Sequence, residues 1–176
     1  MRQSSMRIKY ITVSAMLSAL GVILMAIGAM VEVLDLSTAV LASMLCIYAV
    51  IEIRGSYPWM IWLVTSILAL ILLPIKTPAV FYALFFGFYP ILKEKLERLP
   101  RLVSWLLKLA AFHLSLALMF GIFKLFIPSA LEGVGTGWML LALYALGLVC
   151  FVLYDIALTR LITFYLFRLR KYFRIK

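Results

Sequence analysis

The sequence predicts an all-α integral membrane protein, a bundle of about six transmembrane helices with both termini in the cytoplasm. Three observations carry that expectation: an apolar composition, uncharged runs of membrane-crossing length, and basic residues gathered on one side.

Of the 176 residues, 66% are hydrophobic, and the mean hydropathy is +1.14. Soluble domains hold roughly 45–50% apolar residues because they need a wettable surface. No soluble core of this size would hide the excess.

Uncharged runs extend from Tyr10 to Val31, Gly55 to Ile75 and Gly133 to Tyr154. Each suffices for the roughly 20 helical residues that cross a hydrocarbon core. Shorter runs, Leu36 to Ile51, Thr77 to Leu92 and Leu109 to Phe123, gain length from flanking residues whose charged tips reach the interface. The resulting spans are 8–31, 36–53, 57–74, 78–96, 106–127 and 137–160, with a basic cytoplasmic segment over 161–176. The first run follows Arg2, Arg7 and Lys9 as a secretory signal would, but it exceeds the usual signal core and further spans follow, so it reads as a retained helix. With no internal repeat, Gly/Ser linker or low-complexity stretch, the chain reads as a single transmembrane helical domain.

The net charge of +10 is a topology signal and points to no nucleic-acid partner, since the cations lie at span ends and form no soluble basic face. With the N-terminus inside, fifteen of the seventeen Lys and Arg residues are cytoplasmic and only Lys76 and Lys124 are external. An even number of spans satisfies that bias. The Arg168 to Lys176 segment, interleaved with Tyr172 and Phe173, suits attraction to anionic lipid.

Proline punctuates the middle of the chain. Pro58 opens span three, Pro74 closes it and Pro78 opens span four. Pro90, in Gly87-Phe88-Tyr89-Pro90, removes a backbone donor within span four and predicts a kink. Span one carries Ala15, Ser18, Ala19, Val22, Ala26 and Ala29 at three- and four-residue steps, with Gly21 and Gly28 as a second small patch. Small residues at such spacing let another helix approach closely, either within the bundle or on a partner.

Catalytic and metal chemistry find no constellation here. No phosphate-binding Gly-rich loop ending in Lys-Ser/Thr occurs, so ATP would have to be hydrolysed by another subunit. His113 is alone in an apolar stretch, and Cys46 and Cys150 lie within spans without metal or disulfide spacing. No enzyme, cofactor or metal site is expected.

Ionisable residues in spans are costly and need a partner or a purpose. Asp155 and Arg160, with Glu52, fall at the cytoplasmic ends of their spans, where a structural ion pair (Asp155 with Arg160, Arg54 or Lys108) or a gating role are the alternatives. At the outer end, Glu32, Asp35, Tyr82, Lys124 and Trp138, with Ser37, Thr38, Lys76, Thr77 and Glu132 nearby, make the inventory for binding a small molecule. Interfacial anchoring is the plainer role for Tyr82 and Trp138.

The segment Thr12-Val-Ser-Ala-Met-Leu-Ser-Ala-Leu20, containing Ala15-x-x-x-Ala19, resembles the first helix of the substrate-binding S components of energy-coupling-factor vitamin transporters. Size, span number and orientation agree along the whole chain. The resemblance implies an S-component-like bundle whose Ala15 and Ala19, with Ser18 between them, dock on a transmembrane T component that joins two ATPases. It also implies capture of a small organic micronutrient at the outer face, around Glu32, Asp35, Tyr82, Lys124 and Trp138. The chain is similar, too, in size and span number to the rod-shape-determining membrane protein D family, which would imply a non-transporting scaffold or regulatory subunit of cell-envelope machinery.

Overall fold

The computed structural model describes residues 2–31, 34–53, 55–126 and 137–169. Among them every regular element is helical: α1 (Arg2–Ala29), α2 (Asp35–Glu52), α3 (Tyr57–Leu72), α4 (Thr77–Phe81), a π-helical turn (Tyr82–Phe86), α5 (Tyr89–Leu96), α6 (Arg101–Phe126), α7 (Trp138–Phe164) and a second π-turn (Tyr165–Leu169). Apolar surroundings favour this class because a helix satisfies its backbone donors and acceptors within its own segment.

Among the described residues, four helices are long and apolar enough to cross a membrane: Met6–Ala29, Asp35–Glu52, Arg101–Phe126 and Trp138–Arg168. The other two expected spans take different forms. Helix α3 has 16 residues, about 24 Å at roughly 1.5 Å per residue, against a hydrocarbon core of about 30 Å. The span expected over 78–96 is interrupted, with a π-turn and the Gly87-Phe88 turn between α4 and α5. Large apolar side chains stand exposed along the chain, among them Ile8, Ile23, Ile71, Leu106, Leu141 and Phe167. Soluble monomers seldom expose large contiguous apolar surfaces.

Proline sets the breaks. Pro58, Pro78 and Pro90 each sit in the first turn of a helix, where the missing N–H costs no intrahelical bond. Leu73 is extended (ψ 136°) immediately before Pro74, the conformation that the proline ring imposes on its predecessor. Lys76 Nζ donates to Leu73 O at 2.6 Å, capping a carbonyl left at the end of α3.

Two compact units divide the chain, Met1–Ser115 and Leu116–Lys176. In the first, α2 is central, packing on α1, α3, α4, the π-turn and α5. Its buried residues are mostly small: Thr38, Ala39, Ala42, Ser43, Cys46 and Ala49, with Ile47 and Val50. One core cluster joins Val22, Met25 and Ala29 of α1 to Ala39, Ala42, Ala69, Leu73, Ala79 and Tyr82, and a second joins Cys46, Val50 and Ile91 beneath Trp59 and Trp62. In the second unit, α7 buries Phe151, Tyr154, Asp155 and Leu158.

The closest approach is between α1 and α2. A methyl group placed on Gly28 would fall 2.7 Å from both Cβ and Cγ2 of Thr38, inside van der Waals contact. Thr38 cannot swing aside freely, because its Oγ1 donates back to Leu34 O (3.0 Å) and Asp35 O (3.1 Å) as alternatives. Gly21 meets Thr65 of α3 more loosely, with Cγ2 3.2 Å from the corresponding position. The two glycines of span one therefore serve internal packing.

Gly28→Ala should destabilise the protein by about 1–3 kcal/mol through overpacking. Gly121→Ala, where nothing lies within 4 Å, should be neutral or stabilising by up to about 1 kcal/mol from helix propensity. Unfolding of the purified variants in detergent, followed by circular dichroism, distinguishes the two.

Candidate functional site

Two features of the first unit combine polar chemistry with an unusual backbone: the interruption between α4 and α5, and a knot of charge at the end of α5.

At the interruption, Gly87 N donates to Tyr82 O at 2.8 Å, a five-residue step in place of four. This widening takes carbonyls out of the ordinary α ladder, and side chains of three other helices reach them. Trp62 Nε1 of α3 donates to Ala83 O at 2.9 Å, and Ser115 Oγ of α6 to Leu84 O at 2.9 Å. The Cys46 thiol of α2 lies 3.5 Å from Gly87 O, a weaker bond. Single-turn π insertions within α-helices occur often at functional sites. Gly87 is required here by space: a Cβ would lie 2.7 Å from Trp62 Cδ1 and from Cε1 and Cζ of Tyr82. Trp59, Trp62 and Phe88 pack as a triangle of rings with centroids 5.8–6.2 Å apart, which leaves no room for a ligand between them.

At the far end of α5, two lysines share one carboxylate oxygen. Glu97 Oε1 is 3.2 Å from Lys93 Nζ and 3.5 Å from Lys108 Nζ of α6. Lys93 is 1% exposed and Lys108 5%, so their charges are largely withdrawn from water and need such partners. Lys108 also lies over the Trp105 ring and Lys95 over the Trp59 ring, at 5.4 and 5.2 Å from the centroids. Glu94 pairs with exposed Arg98 at 2.7 Å.

The sequence-based candidates are dispersed. Tyr82, read as a binding residue, is 1% exposed within the apolar core of the first unit. Asp35 opens α2, half-buried, in the same unit. Lys124 and Trp138 are exposed and belong to the second unit. Glu32 lies outside the described residues, as do Arg54, Glu132 and Arg170–Lys176. Asp155 is buried, Arg160 is exposed and Glu52 is half-buried at the end of α2. Asp155 O accepts from Thr159 Oγ1 at 3.0 Å. His113 is engaged within its own helix, Nδ1 lying 2.7 Å from Leu109 O, which makes Nδ1 the protonated nitrogen.

The stripe on span one resolves into two faces. Ser18, Val22 and Ala29 are buried, together with Gly21 and Gly28, whereas Ala15 and Ala19 are exposed. Their neighbours Ile11, Met16 and Ile23 are exposed as well.

Trp62, Ser115, Lys93 and Glu97 are not among the residues that the sequence singles out as candidates, and Lys108 figures there only as a possible partner of Asp155. Glu97 with Lys93 at an i, i+4 spacing was readable as a helical pair; the arrival of Lys108 and the two carbonyl donors depends on tertiary packing. Comparison of the chain with protein-family models, curated proteins and solved structures finds no match.

Glu97→Gln should cost about 1 kcal/mol or more of stability, since it leaves two buried ammonium groups short of a carboxylate. Glu94→Gln, which releases only the exposed Arg98, should cost less than about 0.5 kcal/mol. Comparing the unfolding midpoints of the two variants checks this ranking.

Proposed function

We propose that the chain is the substrate-capturing membrane subunit of an energy-coupling-factor type importer for a small organic micronutrient. It crosses the membrane six times with both termini in the cytoplasm, and separate ATPase and transmembrane coupling subunits drive it.

The observation that carries this reading is the division of α1 into two small-residue faces. Gly21 and Gly28 are consumed by α3 and α2, and Ala15 and Ala19 remain on the exposed face. A pair of methyl side chains one turn apart forms a shallow seat for a second helix, in surroundings where close packing drives association. The fifteen-to-two distribution of basic residues supports the orientation. The π-turn between α4 and α5 is compatible with a functional role in that helix, since single-turn π insertions occur often at functional sites. Capture at the outer face followed by reorientation would need a free-energy source outside this chain.

A second reading, a non-transporting scaffold or regulatory subunit resembling rod-shape-determining protein D, is favoured by one observation. Tyr82, the aromatic expected at the substrate, is enclosed among Val22, Met25, Ala29 and Ala79.

Replacing both Ala15 and Ala19 with leucine should abolish co-purification of the coupling subunit and leave thermal stability in detergent within about 0.5 kcal/mol, as expected for exposed sites. Native mass spectrometry of the unaltered protein should show a bound small molecule. Retention of the partner by the leucine variant, together with a ligand-free spectrum, favours the scaffold. Fluorescent proteins fused to either terminus should both fluoresce and resist protease added from outside; cleavage of either fusion contradicts the six-span topology.

A further inference from the structure

We propose that the π-turn Tyr82–Phe86 is a register switch, which closes to α geometry and turns α5 about its axis relative to α4. The argument rests on which donors hold which carbonyls. In the present register Gly87 N bonds Tyr82 O, and the acceptors that an α ladder would offer next, Ala83 O and Leu84 O, are taken by Trp62 Nε1 and Ser115 Oγ. In the α register, Gly87 N would bond Ala83 O and Phe88 N would bond Leu84 O, four residues back in each case. Trp62 and Ser115 therefore stand, in the π register, on the two oxygens that backbone donors would meet in the α register, and their bonds weight the equilibrium toward the π register.

Exchange between the registers replaces the side-chain donors on Ala83 O and Leu84 O by backbone donors, so neither register leaves those two carbonyls unmet, and the α register is the minor state because Trp62 and Ser115 lose their acceptors in it. Pro90 lowers the barrier, because it has no N–H that must first be released from Phe86 O. Gly87 provides the clearance, as a Cβ there would collide with Trp62 and Tyr82.

Closing the turn removes one residue of winding, so α5 rotates by roughly 100° and advances about 1.5 Å. The faces of Tyr89, Ile91, Lys93 and Leu96, all buried, would change neighbours together. Lys93 and Glu97 travel as one pair, whereas Lys108 belongs to α6, so the 3.5 Å contact between Glu97 and Lys108 is the ion pair that the switch breaks. The switch thus links the middle of the bundle to the charged end of α5. It does not depend on whether the chain carries a substrate.

Methyl relaxation dispersion on the full chain in lipid nanodiscs tests this, because helix register shifts fall in the microsecond to millisecond range. Ile91 and Leu96 should exchange at one common rate, with Val22 and Ile61 of the surrounding bundle silent. Trp62→Phe, which keeps the ring and loses the donor, and Ser115→Ala should each raise the minor population roughly fivefold, the weight of one net hydrogen bond. Flat profiles at Ile91 and Leu96 in the unaltered protein and both single variants would overturn the switch. Exchange shared equally by Val22 and Ile61 would overturn it too, since that reports opening of the whole unit.

Discussion

The contact of Gly28 with Thr38 sets how closely α1 and α2 lie, and most of the first unit follows from that separation. Lipid-like surroundings offer little hydrophobic gain for helix association, so cohesion has to come from close van der Waals fit and from polar groups satisfied internally. Small side chains along the buried face of α2, Ala39, Ala42, Ser43, Cys46 and Ala49, extend the fit from α1 to α3, α4 and α5. Tyr82 and Tyr89 are among the bulky side chains that the unit encloses, and Gly87 makes room for the Tyr82 ring.

A chain packed this tightly has few ways to accommodate an interruption in a helix. Ala83, Leu84 and Gly87 present carbonyls that neighbouring side chains meet, from Trp62, Ser115 and Cys46. Each donor comes from a different helix, so the interruption is tied to α3, α6 and α2 at once. An unmet buried carbonyl would cost about 1–3 kcal/mol. The same bonds that make the break affordable also join elements far apart in the sequence.

The charged end of α5 follows a related logic. Lys93 is enclosed and Lys108 nearly so, and Glu97 is placed to meet both. Trp59 and Trp105 extend the arrangement by taking Lys95 and Lys108 over their rings. Cations of the 93–108 segment that count, by sequence, toward membrane orientation are in the structure also pieces of packing. One set of residues thus bears on topology and on cohesion together.

Helix class and proline-set boundaries were legible in the sequence, because apolar run length and a missing N–H act locally; the irregularity of the fourth expected span falls at Tyr82–Phe88, ahead of the kink expected at Pro90. The extended Leu73 before Pro74 and the restart of the helix at Tyr89 are direct examples. Other properties were settled only by packing. Ala15 and Ala19 share a periodicity with Ser18 and Val22, and nothing in that spacing says which of them meets α2 and α3; the buried face follows from where Thr38 and Thr65 stand. Tyr82 reads as an interfacial aromatic from its position near a span end, yet the π-turn directs its ring into the core. Trp62 and Ser115 carry no local signal of their bonds, since the acceptors Ala83 and Leu84 lie 21 and 31 residues away along the chain. By itself the sequence determined that this is a helical, membrane-type chain and that prolines open and close several of its helices, because those depend on composition and backbone chemistry; the π-turn inside the span expected over 78–96 was not among its expectations. Which face of each helix is buried in the fold, and which is left exposed, was decided by the tertiary structure, because burial depends on neighbours that sequence spacing does not name.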